Sequence, residues 1–141
     1  MTTLLELHKR SAADIGRAIA DGLDPMEVAD VFLERIAAHA DQPVFITITA
    51  GRARQEALAS RERHRLGQAL GPLDGVPIAW KDLIDVEGAP TTAGSALRRE
   101  NPPAEADAPI VANATAAGMV TRGKVNLTEF AYSCIGLNPH Y

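Results

Sequence analysis

GPLDGVPIAWKDLIDVEGAPTTAGS, residues 71–95, is the stretch that decides the fold. Its segment Val76–Trp80 is apolar throughout, Gly75 precedes it, and Gly88 follows its continuation. A short apolar run between turn residues is typical of a buried strand. We therefore expect the chain around residues 76–80 to enter the core of the protein.

A lysine, Lys81, stands at the end of this predicted strand. An ammonium group that enters a core must find anionic or hydrogen-bonding partners or lose its proton. Alternation along a strand puts Lys81 and Asp82 on opposite faces. We expect Lys81 to lie in the interior at the end of a central strand, facing a cavity and not paired with Asp82. From the pattern alone, the simpler interpretation is a structural salt bridge or a side chain that reaches water.

The composition is that of an ordinary globular protein. The 141 residues suit one domain, with 46% hydrophobic and 23% charged residues. A net charge of -4 gives no general attraction to nucleic acid or anionic membranes. No apolar run is long enough to span a membrane. The only cysteine, Cys134, is expected to be a small buried residue, and a reducing, cytoplasmic location is the simplest expectation.

The first half of the chain, residues 1–68, is predicted to be a mainly helical lead-in. Ser11 with Asp14 forms a capping-box pattern, and Asp24 followed by proline marks a second helix start. The β-branched run 44–49 predicts a strand. A charged helix over 52–66 follows, with Ala57, Leu58 and Leu66 as its apolar support and its basic run exposed to solvent.

The second half, residues 69–141, is predicted to be an α/β segment that bears the lysine. Asp107 is expected to cap a helix of small residues that runs to about Ala117, and residues 119–121 form a short strand. The alternation of strands and helices predicts an α/β fold: a mixed, mostly parallel central sheet with flanking helices.

Two other patterns do not support a site. Residues 118–124 fit the start of a phosphate-binding loop, but Val125 stands where Ser or Thr must hold magnesium, and the segment is a predicted strand. The four histidines are scattered without a carboxylate cluster, so we expect no metal and no cofactor.

Four segments of the chain carry a family resemblance: GVPIAWKD, TTAGS, GKVNLTEF and GLNPHY. They resemble the first signature block, and the sequence after it, of the amidase signature family of serine hydrolases. The resemblance implies a Ser-cisSer-Lys triad in which Lys81 is the lysine and acts as general base on a small-molecule amide. It also implies a scaffold role for Lys124 and places Ala131, Tyr132 and Ser133 along the substrate pocket.

The serines that the family uses lie in a Gly/Ser-rich loop beyond the segment that NPHY resembles. No Gly-Ser-Ser run occurs in residues 1–141, where the serines are Ser11, Ser60, Ser95 and Ser133. We therefore expect residues 1–141 to be the N-terminal part of a single amidase-signature domain, inactive alone. We expect it to form a homodimer or to associate with the missing C-terminal portion, which is the natural cover of its sheet.

Two alternatives stay open. The chain could be a non-catalytic scaffold or binding module that keeps the front half of the fold. It could also be the amidase subunit of a glutamine-dependent aminoacyl-tRNA amidotransferase.

Overall fold

The computed structural model describes residues 4–141, so residues 1–3 of the expected helical lead-in lie outside the described part. Seven regular elements follow one another: α1 (Ala12–Ala20), α2 (Pro25–Ala38), β1 (Phe45–Ile48), α3 (Ala50–Arg65), β2 (Pro77–Lys81), α4 (Pro109–Ala116) and β3 (Val120–Val125). Short 3-10 segments lie at Leu4–Lys9, Ala96–Arg98 and Glu129–Ala131. Across residues 4–141, no helix has the length and apolar character needed to cross a membrane.

Local polar signals fix the starts of the first two helices. The Ser11 hydroxyl accepts a hydrogen bond from the Asp14 backbone N–H at 3.1 Å, and the Asp14 carboxylate returns to the Ser11 backbone, completing the predicted capping box. Asp24 accepts from the N–H of Met26 at 2.8 Å, with Pro25 in the first turn of α2. Each cap satisfies a backbone donor that the helix cannot satisfy itself.

The sheet has three strands in the order β1-β3-β2. β1 pairs with β3 in the antiparallel direction, and β2 pairs with β3 in the parallel direction. The expected α/β class with a mixed sheet is confirmed. The expected central position of the lysine strand is wrong for the described residues, because β3 lies in the middle and β2 at an edge.

Three apolar clusters hold the layers together. Their buried members are Leu7, Ile15, Ile19, Val28 and Val76 in the first, Ala29, Leu33, Ala53, Ala57 and Val120 in the second, and Trp80, Val86, Ala89 and Val111 in the third. The first two pack α1, α2 and α3 against the sheet. The third packs Trp80 of β2 against α4 and against the loop that follows β2. The small residues in the second cluster let α3 approach α2 and β3 closely.

The buried residues and the ion pairs of helix α3 differ from those predicted. Leu58 and Leu66 are half exposed, whereas Ala53, Ala57 and Ser60 are buried. The basic residues do not simply face solvent: three arginines, Arg52, Arg61 and Arg63, make paired hydrogen bonds to Asp107, Asp24 and Asp74. Asp107 therefore does not cap α4, whose N-cap position is Ala108 without a side-chain cap.

Candidate active site

Lys81 lies at the last position of β2, as predicted, but its side chain is exposed. The expectation that it lies in the interior is wrong for these residues. The alternation was correct, since Trp80 and Asp82 flank it and both are buried. The face of β2 that packs against the core is the one that carries Trp80 and Asp82, and Lys81 points from the opposite face. Alternation assigns residues to faces but does not say which face is covered.

The residue next to Lys81 forms the most deeply buried ion pair of the site. Asp82 Oδ1 lies 2.7 Å from Lys124 Nζ, and both side chains are fully buried. As expected, Asp82 is not the counter-ion of Lys81. Lys124 lies in β3, where its backbone is paired with Trp80 across the parallel ladder.

Lys124 Nζ and Asp82 Oδ2 each have further hydrogen-bond partners. Lys124 Nζ donates to the Pro90 carbonyl at 2.8 Å and to the Thr91 hydroxyl at 2.5 Å. Asp82 Oδ1 meets the ammonium at ion-pair distance but without hydrogen-bond geometry, and this buried oxygen has no hydrogen-bond partner among the described residues. Asp82 Oδ2 accepts from the backbone N–H of Thr92 at 3.0 Å and also from the Thr92 hydroxyl. Such pairing is what permits a charged pair in a core.

The turn TTAGS, residues 91–95, is held from several sides. Ala93 and Gly94 have positive φ values of 54° and 67°. A Cβ on Gly94 would lie 2.6 Å from Nδ2 of Asn138 and 2.8 Å from the carbonyl oxygen of Leu127, so only glycine fits. Nδ2 of Asn138 donates to the Gly94 carbonyl at 2.7 Å, so the segment NPHY helps to hold the TTAGS turn in place.

The segment expected to line the substrate pocket lies beside this turn. Phe130 and Ala131 both have positive φ values, 51° and 56°. Tyr132 is 93% exposed, Ala131 is exposed, and Ser133 is half-buried with its hydroxyl accepting from the N–H of Ile135 at 3.3 Å. The three residues thus lie at the surface of the described chain.

Two backbone hydrogen bonds bring the predicted site residues into neighbouring segments. The N–H of Ala93 donates to the carbonyl of Asp82 at 2.8 Å, and the N–H of Phe130 donates to the carbonyl of Ala93 at 2.8 Å. The strand end with Lys81, the TTAGS turn and the segment 130–133 therefore form one continuous structure. Residues almost fifty positions apart in the sequence meet here.

The two serines of this region serve local structure. Ser95 is fully buried, donates from Oγ to Glu129 Oε1 at 2.5 Å and accepts from the N–H of Leu97 at 3.3 Å. The hydrogen bond from Ser95 holds the pKa of the Glu129 carboxyl below its ordinary value. Cys134, expected to be buried, is exposed.

Sequence reasoning missed the pairing of Lys124 with Asp82, although it gave Lys124 a scaffold role. One signal could have found it. Asp82 directly follows an apolar strand segment, and a carboxylate carried into a core requires a cation or hydrogen-bond donors as partners.

The sequence model of the Amidase family matches residues 27–141. The chain belongs to this family. It is 47% identical over 97 residues to AtzE, a component of the 1-carboxybiuret hydrolase of Pseudomonas sp. (strain ADP), covering 69% of this chain and 21% of that protein. It is 39% identical over 140 residues to one component of the glutamyl-tRNA(Gln) amidotransferase of Thermobifida fusca (strain YX), covering 98% of this chain and 28% of that protein.

Solved structures agree with the family and the fold. The native peptide amidase of Stenotrophomonas maltophilia is 31% identical, with a TM-score of 0.82, over 91% of this chain and 27% of that one. An inhibitor-bound vestigial protein complex, described as revealing the origins of an s-triazine catabolic enzyme, gives a TM-score of 0.88 at 40% identity, over 94% of this chain and 29% of that one. The chain thus spans less than a third of the length of the relatives it matches.

Proposed function

We propose that the protein to which these residues belong is an amidase that cleaves a carboxylic amide through an acyl-enzyme intermediate, with Lys81 as general base. The observation that carries the proposal is the position of Lys81 within a matched amidase segment. It ends β2 with its side chain exposed, while the neighbouring carboxylate of Asp82 is already engaged by Lys124. The lysine is therefore available to a reacting group.

The proposed chemistry requires a nucleophile and a separate base. A serine hydroxyl is a weak nucleophile and must pass its proton to a base. In the proposed Ser-cisSer-Lys triad, Lys81 accepts that proton through the bridging serine and returns it to the leaving amine. A neutral lysine can act in this way once desolvation disfavours its charged form. Residues 1–141 supply the lysine, and both serines come from outside this range.

Ala131, Tyr132 and Ser133 are proposed to line the substrate pocket. Their support is the hydrogen bond between Phe130 and Ala93, which puts this exposed segment next to the turn that follows the lysine strand. The substrate class is a small-molecule amide. We propose a cytoplasmic enzyme, in keeping with the single cysteine, Cys134.

The amidase component of a glutamine-dependent amidotransferase is the second candidate. It is favoured by the Thermobifida fusca relative, whose similarity covers almost the whole chain. In that case the amide would be glutamine, and the protein would act beside a partner protein. A non-catalytic module is the third candidate, in which the fold is kept without turnover.

Full-length protein that contains this chain should be assayed with an aliphatic amide, an aromatic amide, a peptide amide and glutamine. We expect turnover of at least one of them and loss of about 10²–10⁴-fold in kcat in Lys81→Ala, the usual contribution of a general base. Lys9→Ala, which removes an exposed lysine far along the chain, is the matched control and should keep wild-type kcat. Turnover of glutamine alone supports the second candidate. Absence of turnover for every amide, or a Lys81→Ala enzyme within a few-fold of wild type, overturns the proposal.

A further inference from the structure

The buried pair of Asp82 and Lys124 lies one residue from the proposed catalytic base, and the chemistry assigned to Lys81 does not use it. Two fully buried charges 2.7 Å apart are costly to desolvate, and an apolar pair of similar size often stabilises a core equally well. A buried pair at this position is thus more than a requirement of packing.

Both sequence neighbours of Lys81 are fixed in the interior. On one side the indole N–H of Trp80 donates to the Thr121 hydroxyl at 3.2 Å, with the ring almost fully buried. On the other side Asp82 is bound through its backbone: its N–H donates to the Val125 carbonyl at 3.0 Å, and its carbonyl accepts from Ala93. Because neighbouring side chains of a strand point to opposite faces, two inward anchors set the outward direction of Lys81.

The Asp82 carboxylate adds a further anchor to these backbone bonds, and this one depends on Lys124. β2 ends at Lys81, so Asp82 lies beyond the regular ladder, where strand pairing alone constrains the backbone less. Its carboxylate contacts Lys124 from β3 and Thr92 from the following turn. Lys124 in turn holds the same turn through Pro90 and Thr91. The pair therefore joins strand end and turn into one rigid unit.

We infer that Asp82 and Lys124 are positioning residues for the proposed general base: their buried ion pair holds the end of β2 so that the neutral Lys81 amine is aimed at the bridging serine that passes on the proton. This inference rests on the proposed amidase function. Proton transfer requires hydrogen-bond reach between base and hydroxyl, and a misplacement of about 1 Å can cost about 10²-fold in rate. If the pair acts only by positioning Lys81, its removal lowers kcat only in a protein that still contains Lys81.

The test is a mutant cycle in the full-length protein. The double variant Asp82→Asn/Lys124→Met removes both charges at similar volume and leaves no unpaired ion in the core. We expect its melting temperature to fall, because the Pro90 carbonyl and the Thr91 hydroxyl lose a donor, while the protein stays folded at the assay temperature. We expect its KM to change less than about threefold and its kcat to fall about 10²-fold. The same double change is then made in the Lys81→Ala background, where we expect no further loss of kcat, since residues that act through one group are not additive. An activated p-nitrophenyl ester keeps the residual turnover measurable because its leaving group departs without a proton.

A matched control removes an ion pair between a buried carboxylate and a partly exposed arginine, in the segment that precedes β2. Arg63 donates to Asp74, whose side chain is fully buried, so Arg63→Met/Asp74→Asn makes an equivalent change. It should leave kcat at the wild-type value in both backgrounds. Thr92→Val is a milder change that removes one hydrogen bond to Asp82. It should lower kcat by several-fold and serves as the test should the double variant not fold.

The outcomes separate the two proposals. Wild-type kcat in the folded Asp82→Asn/Lys124→Met protein, or in Thr92→Val where only that variant folds, overturns the positioning role and leaves the amidase function standing. An equal fractional loss of kcat with and without Lys81 shows that the pair supports the fold in general and does not act through Lys81. That result also overturns the positioning role. A Lys81→Ala enzyme as active as wild type overturns the proposed function itself.

Discussion

At the scale of single residues, the site depends on side chains that fix a neighbour. Asp82 is fixed by Lys124 and Thr92, and Gly94 is fixed by Asn138. None of these is the proposed base. A strand end and a turn are held in place when polar groups that they bury find partners, and here these come both from the nearby turn, Thr92, and from the distant residues Lys124 and Asn138.

Gly94→Ala should destabilise the protein more than Gly88→Ala. Both glycines have positive φ, 67° and 79°, so each alanine meets the left-handed penalty of about 1–2 kcal/mol. Only Gly94 lacks room for a Cβ, because Asn138 and Leu127 are too close, whereas nothing lies near Gly88. Overpacking should add about 1–3 kcal/mol to the loss. Urea unfolding of both variants measures the difference in their free energies of unfolding. Equal midpoints would contradict the prediction, because they would show that the turn rearranges to accept a Cβ at residue 94.

At the scale of elements, what the sequence could predict depended on distance along the chain. The caps at Ser11 and Asp24 were predicted because their partners lie two or three residues away. The strand with Lys81 was predicted from its apolar run. Its exposed face was missed because the period of a strand does not reveal which side another element covers. The role of Arg52 was missed for a similar reason, since Asp107 lies 55 residues further along the chain.

The ion pairs made by the arginines of α3 make the stability of the fold depend on pH in the acid range. Arg52 donates to both oxygens of Asp107 at 2.6 and 2.7 Å, and this pairing holds the pKa of Asp107 below its ordinary value of 3.8. A carboxyl with a lower pKa in the folded state stabilises the fold above its unfolded pKa. That contribution is lost as the pH falls through the folded-state pKa.

We therefore expect the free energy of unfolding to fall as the pH drops from about 5 towards 2, and to fall less steeply in Asp107→Asn. At neutral pH the variant should be less stable, because Arg52 loses its charged partner. Asp41→Asn removes a carboxylate from an exposed loop and is the control. Urea unfolding at a series of pH values gives both slopes; parallel curves for Asp107→Asn and wild type would contradict the role of this pair.

At the scale of the whole molecule, the described residues include the lysine of the proposed site and leave large apolar side chains exposed in the segments beside it. Two segments expose large side chains: Leu97, just after the TTAGS turn, is 88% exposed, and after β3 Tyr132 is 93%, Ile135 73% and Leu137 75% exposed. These residues lie in the segments that adjoin the proposed site. Soluble proteins rarely leave such side chains clustered in water, and exposed apolar clusters mark interaction surfaces.

Residues 1–141 prepared alone should therefore bind a dye for exposed apolar surface, self-associate, and fail to hydrolyse amides. Turnover should be absent because no Gly-Ser-Ser run is present to supply the proposed nucleophile and bridging serine, and general base catalysis by Lys81 has nothing to act on. Dye binding should fall in the triple variant Tyr132→Ser/Ile135→Ser/Leu137→Ser. Ile110→Ser, at a residue 58% exposed on α4, should leave most of it unchanged. Fluorescence titration and light scattering measure the two properties. A monomer without dye binding would contradict the structural half of this prediction, and amide turnover that Lys81→Ala abolishes would contradict the chemical half.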